Sequence, residues 1–137
     1  MWYYIKNYPI SLIILGLVIY FSFFSIPSLD APPFPYFDKI GHFCMYGGLS
    51  GVLWLEFLWN HRKEEKILFK RGMIGGTVLP ILFSGLIEFA QEYLTINRSG
   101  DFLDFLANAS GSLIATAIAW FLIRPWLLKT YSNHSKS

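Results

Sequence analysis

Charge is scarce in this chain: 15% of its 137 residues are Asp, Glu, Lys or Arg, where soluble domains carry about 25%. So little charge cannot cover a water-facing surface, and a hydrophobic share of 54% with mean hydropathy +0.43 points to lipid instead. Cysteine is reduced to Cys44 alone, which excludes an internal disulfide framework and a multi-cysteine metal site. Also missing are a G-x-x-x-x-G-K-[ST] phosphate loop, a G-x-S-x-G elbow, a C-x-x-C pair and an H-E-x-x-H helix. The short signatures of nucleotide hydrolysis, serine hydrolysis, thiol redox chemistry and zinc proteolysis are therefore absent. A net charge of +2 is too mild for a nucleic-acid partner. The length allows one domain and no separate catalytic module.

What is present is a set of apolar runs. No charge interrupts Pro9 to Ile26, and a helix of that length, at about 1.5 Å per residue, approaches the roughly 30 Å hydrocarbon layer. The segment Phe23-Phe24-Ser25-Ile26-Pro27 offers no small-x-small exit, so this run reads as an uncleaved span. Further largely apolar runs lie at 40–59, 73–95 and 103–123. The expectation is an all-α chain: a four-helix transmembrane bundle forming one membrane domain over residues 1–131, with 132–137 a frayed polar tail.

Lys and Arg flanking a span tend to stay in the cytoplasm. Nine of the eleven fall on one side: Lys6, Arg62, Lys63, Lys66, Lys70, Arg71, Arg124, Lys129 and Lys136. Only Lys39 and Arg98 fall on the other, which predicts that both termini are cytoplasmic. Trp2, Trp54, Trp59, Trp120 and Trp126 all fall near the inner boundary, as an interfacial belt would. Pro27, Pro32, Pro33 and Pro35 make the first outer connection a short, stiff crossover. Pro80 is expected to kink span three, eased by Ser84 and Gly85.

The outer side is acidic, with Asp30, Asp38, Glu88, Glu92, Asp101 and Asp104 against Lys39 and Arg98. Asp38, His42 and Tyr46 follow i, i+4, i+8 and share one face of span two; Asp101, Asp104 and Asn108 follow i, i+3, i+7 on span four. Glu88 and Gln91 lie on one face near the outer end of span three. Three helices thus place polar side chains in one shallow layer, although a charge at a span centre costs roughly 2.5–3.5 kcal/mol on insertion scales. Lipid cannot satisfy these groups, so they must face one another, water or a ligand. Asp38 and Asp101 also read as helix N-caps. The inner halves of the spans are read as apolar apart from Glu56, which is expected to snorkel toward Arg62 or water. Gly47, Gly48 and Gly51 on span two, with Ala107, Gly111, Ala115 and Ala119 on span four, are expected to let helices approach closely.

Asp38-Lys39-x-x-His42-x-x-x-Tyr46, Glu88-x-x-Gln91 and Arg98-x-x-Asp101-x-x-Asp104-x-x-x-Asn108-x-x-Gly111 together resemble the signature of the VanZ-like family of small bacterial membrane proteins. The resemblance covers spans two to four. It implies a helical, multi-pass domain of the bacterial cytoplasmic membrane, in a family named after a protein associated with teicoplanin resistance, and it brings no settled catalytic mechanism. Two functions stay open. In one, Asp38, Lys39, His42, Tyr46, Glu88, Gln91, Arg98, Asp101, Asp104 and Asn108 line a binding pocket for an envelope lipid headgroup, a lipid-linked precursor or a lipoglycopeptide. Lys39 and Arg98 would then meet anionic groups and the acids would meet hydroxyls or amines. In the other, the pocket is catalytic, with His42, Glu88 and Asp104 as candidates, His42 the base oriented by Asp38 or Glu88, and Arg98 stabilising an anion. A divalent metal on His42, Glu88, Asp101 and Asp104 is a sub-case of this second reading. No cofactor is called for. The expected partners are membrane lipids or a lipid-linked precursor, with self-association left open.

Overall fold

The computed structural model of the chain describes residues 2–24, 35–64, 69–94 and 100–134. Among these every regular element is helical: α1 (Trp2–Asn7), α2 (Pro9–Phe23), α3 (Phe37–Asn60), α4 (Phe69–Met73), α5 (Leu79–Leu94), α6 (Phe102–Ile118) and α7 (Arg124–His134). One π turn, Ile74–Val78, joins α4 to α5, and another, Ala119–Ile123, joins α6 to α7. Each sits just ahead of a proline, Pro80 and Pro125. Proline has no N–H to return to the carbonyl four residues earlier, and the wider turn accommodates that gap. The kink expected at Pro80 thus takes the form of a π turn one step before it. The last helix continues to His134, three residues into the segment expected to fray, and 135–137 lie outside the described residues. So do the proline-rich crossover up to Pro33 and Asp30 within it.

Two continuous helices, Phe69–Leu94 and Phe102–Tyr131, are long and apolar enough to cross a membrane; Pro9–Phe23 is apolar but shorter. α3 has the length, but its glycines and its polar face lower its hydropathy. The distribution of side chains is inverted relative to a soluble protein. Leu82, Leu86, Phe89, Phe121 and Leu122 are exposed, whereas Ser50, Thr77, Ser84, Glu88, Gln91, Asp104, Asn108, Ser112 and Thr116 are buried. Water would not tolerate that outside, and lipid would.

α3 is the hub, packing most extensively on α6 and also on α2 and α5. Its crossing with α6 depends on missing side chains. A Cβ on Gly111 would overlap the Phe43 carbonyl and come within 3.0 Å of the Gly47 nitrogen, while Gly51 faces Ala115. Gly48, expected in the same seam, has nothing within 4 Å and lies outside it.

At the opposite end from the acidic layer the structure corrects three expectations. Glu56 does not snorkel: its carboxylate accepts from the Ile10 N–H (3.0 Å), the Ser11 N–H (3.2 Å) and the Ser11 hydroxyl. It is the missing N-cap of α2, whose own N-cap residue Tyr8 makes no side-chain cap. The free N–H groups and the positive end of the helix dipole attract an anion. Asn60 adds a bond to the Asn7 carbonyl at 2.7 Å. Trp54 is not on a lipid interface but fully buried, its indole N–H donating to the Thr77 and Thr116 hydroxyls at 3.0 and 3.1 Å. Nor are the inner halves apolar apart from Glu56, since that Trp–Thr–Thr group lies within them; the pair of hydroxyls satisfies an indole that lipid could not. Gly72, just before the π turn, and Gly76, within it, supply the room: a Cβ on either would overlap the Trp54 ring.

Candidate functional site

α3 enters through Tyr36 in the left-handed region, φ 66°, so Tyr36 is its N-cap residue and Asp38 sits inside the first turn. The capping role expected of Asp38 is therefore not the one it has. Asp101, in extended backbone, does cap α6, accepting from the Leu103 N–H at 2.8 Å.

Lys39 draws these two helix starts together. Its ammonium pairs with Asp38 (3.0 Å), Asp104 Oδ1 (2.7 Å) and Asp101 Oδ2. Partial burial by itself would lower the Lys39 pKa, but the hydrogen bonds it donates to Asp101, Asp104 and Asp38 outweigh that and raise it. Asp101 is held below the usual carboxylate range, first by its bond to Lys39 and then by the Leu103 N–H. Enclosed by three carboxylates and 18% exposed, Lys39 is not presented to an anionic ligand.

One turn deeper, α3, α5 and α6 bring His42, Glu88, Asp104 and Asn108 together. The Asn108 amide bridges the imidazole and the Glu88 carboxylate, its oxygen 3.2 Å from His42 Nδ1 and its nitrogen 3.4 Å from Glu88 Oε1. On the far edge of the ring, His42 Nε2 lies 3.7 Å from Asp104 Oδ2. Glu88 Oε1 is 3.8 Å from Nδ1, and Glu88 Oε2 accepts from the Asp101 N–H at 3.2 Å. Side-chain exposure is 11% for His42, 9% for Glu88 and 12% for Asp104, and Asn108 is fully buried. Tyr46, the next turn of α3, is fully buried with no hydrogen-bond partner for its hydroxyl.

Not every expected site residue joins. Gln91 ties α5 to α2, donating to the Ser22 carbonyl at 2.6 Å. Asp38 faces Lys39 and makes no bond to His42 among the described contacts. The oxygens of Asp101 are engaged by Lys39 and Leu103. Arg98 lies outside the described residues. Asn108, placed by its spacing in the same layer as His42 and Glu88, proves to be the link between them. Its i+4 step from Asp104 was the available signal, and the same step continues through Ser112 and Thr116.

Beside the cluster lies an open groove of about 420 Å³ between α5 and α6, walled by Gly85, Phe89, Phe102 and Phe105 and bounded by Glu88 and Asp101. Its apolar walls meet a polar end formed by Glu88, Glu92 and Asp101, of which Glu88 also belongs to the cluster. Chemically, the arrangement can accept hydrogen bonds from hydroxyls or amines, take up a proton on the imidazole, or surround a cation.

A family model described as VanZ/LLP1 matches residues 4–124. Neither the curated proteins nor the solved structures contain a match to the chain.

Proposed function

The chain belongs to the VanZ/LLP1 family, and from that premise we propose a multi-pass protein of the bacterial cytoplasmic membrane whose outer-leaflet pocket binds the headgroup of an envelope lipid or lipid-linked precursor. In this reading the bundle has four spans, with α2 and α3 crossing beside the two long apolar helices and both termini in the cytoplasm. The excess of Lys and Arg on one side supports that orientation. Fifteen residues of α2 span about 22 Å, most of the roughly 30 Å hydrocarbon layer.

The observation that carries the reading is that Glu88 belongs both to the buried polar cluster and to the lining of an open apolar groove. A membrane lipid has the same two parts at the same juncture: an acyl chain that suits Phe89, Phe102 and Phe105, and a headgroup with hydroxyls, amines or phosphate. A lipoglycopeptide bearing an acyl tail would meet the same geometry, which gives the link to glycopeptide resistance its physical form.

The test is lipid analysis of protein purified in mild detergent, wild type against Glu88→Gln. The wild type should retain one lipid class above its abundance in the membrane, and Glu88→Gln should lose that enrichment while keeping its melting temperature within a few degrees. A Glu88→Gln protein that keeps both the enrichment and its stability would reduce the cluster to interhelical packing.

A further inference from the structure

We propose that His42, Glu88 and Asp104 form a site for one first-row divalent cation, Zn2+ or Mn2+, whose open coordination positions face the headgroup pocket. One ligand atom from each residue lies within 4.8 Å of the other two. Donor atoms bound to one ion at about 2.0–2.2 Å stand about 3–4 Å apart on neighbouring vertices. The separation of 3.7 Å between His42 Nε2 and Asp104 Oδ2 is of that kind, and too long for a hydrogen bond.

The hydrogen bonds around the ring lead to the same place. Glu88 as a carboxylate can only accept, so the Asn108 NH2 must face it and the Asn108 oxygen must face His42. That oxygen is placed to accept from Nδ1–H, while Nε2, on the other edge of the ring, faces a carboxylate oxygen of Asp104. At 3.7 Å that pair leaves room for a cation between the ring nitrogen and the carboxylate oxygen. A metal-bound imidazole holds its other N–H on a carbonyl in the same manner, which fixes the tautomer and the ring orientation. Asn108 is that outer partner.

An independent observation comes from Tyr46. Its hydroxyl is fully buried and unpartnered, a helical side chain leans toward the preceding turn, here that of His42, and Tyr46 lies within electrostatic reach of Glu88. An orphan donor beneath the cluster is satisfied if a water or ligand oxygen completes the ion's shell. One imidazole and two carboxylates suit Zn2+ or Mn2+ better than Mg2+, which retains its waters. Asp101 does not belong to the trio, since the donor atoms that lie within 4.8 Å of one another come from His42, Glu88 and Asp104.

The ion also bears on the class of headgroup, and this part rests on the lipid reading above. Glu88, Asp104, Asp101 and Asp38 with Lys39 as their paired cation would repel a phosphate. A divalent ion reverses the local sign and lets phosphate oxygens take its open positions.

The experiment uses the full chain in detergent, stripped with EDTA, and titrated with Zn2+, Mn2+ or Mg2+ alone, without added lipid. One Zn2+ or Mn2+ should bind per chain, and Asp104→Asn should weaken it at least tenfold. Tyr46→Phe guards against misfolding: its hydroxyl has no hydrogen-bond partner among the described residues, so the apo variant should melt with the wild type, yet bind the ion about tenfold more weakly as an outer-shell loss. Binding no stronger in wild type than in Asp104→Asn would overturn the proposal and leave His42 as an imidazolium between two carboxylates. A separate arm measures lipid retention with and without EDTA. Ion binding with no effect on lipid keeps the metal site and rejects the phosphate bridge; lipid enrichment with no ion rejects the metal site and leaves the pocket standing.

Discussion

Gly111→Ala probes the close backbone approach between α3 and α6. The added methyl would meet the Phe43 carbonyl and the Gly47 nitrogen, both backbone, so no side chain can rotate away. Restoring an ordinary contact of about 3.5 Å requires α3 and α6 to part by something on the order of 1 Å over a turn. Overpacking of this kind costs about 1–3 kcal/mol, and a clash between two backbones belongs at the upper end. Against it stands the helix preference of Ala over Gly, about 0.8–1.0 kcal/mol in water. Gly48→Ala removes that ambiguity, because Gly48 has nothing within 4 Å and shares the propensity term without the clash. The difference between the two variants therefore isolates the crossing, and should be about 1–3 kcal/mol in favour of Gly48→Ala. Gly47→Ala, whose Cβ would stand 3.4 Å from the Gly111 carbonyl oxygen, should fall between them.

The assay is thermal unfolding in one detergent, read by helical circular dichroism and by size-exclusion recovery after heating. The expected order of melting temperatures is Gly48→Ala highest, then Gly47→Ala, then Gly111→Ala. Equal stability of the Gly48 and Gly111 variants would mean that the two helices do not touch there, and the placement of Asn108 against His42 would fall with it.

Glu56→Gln should destabilise by about 0.5–2 kcal/mol in the same assay, since it keeps the shape of the cap on α2 and removes its charge; no loss would mean that α2 starts without it. Trp54→Phe keeps a ring but removes the N–H shared by Thr77 and Thr116, and should cost about 1–3 kcal/mol, whereas Trp59→Phe at an exposed position should cost little, a contrast that equal losses would erase. Single cysteines in a Cys44→Ser background should label from outside intact cells at Tyr36 and from inside only at Lys63; outside labelling at Lys63 would invert the topology.

The polar cluster was legible because spacing along a helix fixes position along its axis as well as face. Asp38, His42 and Tyr46 could be ranked by depth from the sequence, as could Asp101, Asp104 and Asn108, and the requirement that lipid satisfy nothing polar brought their helices together. Composition cannot tell a bundle interior from a lipid interface, so Trp54 was assigned to the wrong surroundings; only the hydroxyls of Thr77 and Thr116, on two other helices, reveal them. Glu56 was misread for a similar reason. Its partners are the backbone N–H groups of Ile10 and Ser11, some 45 residues away, and a backbone N–H leaves no mark in the sequence beyond an uncapped helix start. Lys39 was legible as a cation but not as an enclosed one, since its three acids come from two different helices.

The small-residue seam and the polar cluster are one device. Gly111 lies one helical step past Asn108, and the carbonyl that fills the space of its missing side chain belongs to Phe43, the neighbour of His42. The 3.2 Å contact between His42 and Asn108 is thus set by how closely two backbones approach one turn away. An increase of on the order of 1 Å there exceeds the tolerance of a hydrogen bond, so the imidazole would lose the partner that orients it even though no polar residue had changed. The glycines therefore belong to the site as much as its carboxylates do: the carboxylates supply the chemistry, and the absent side chains hold it in register.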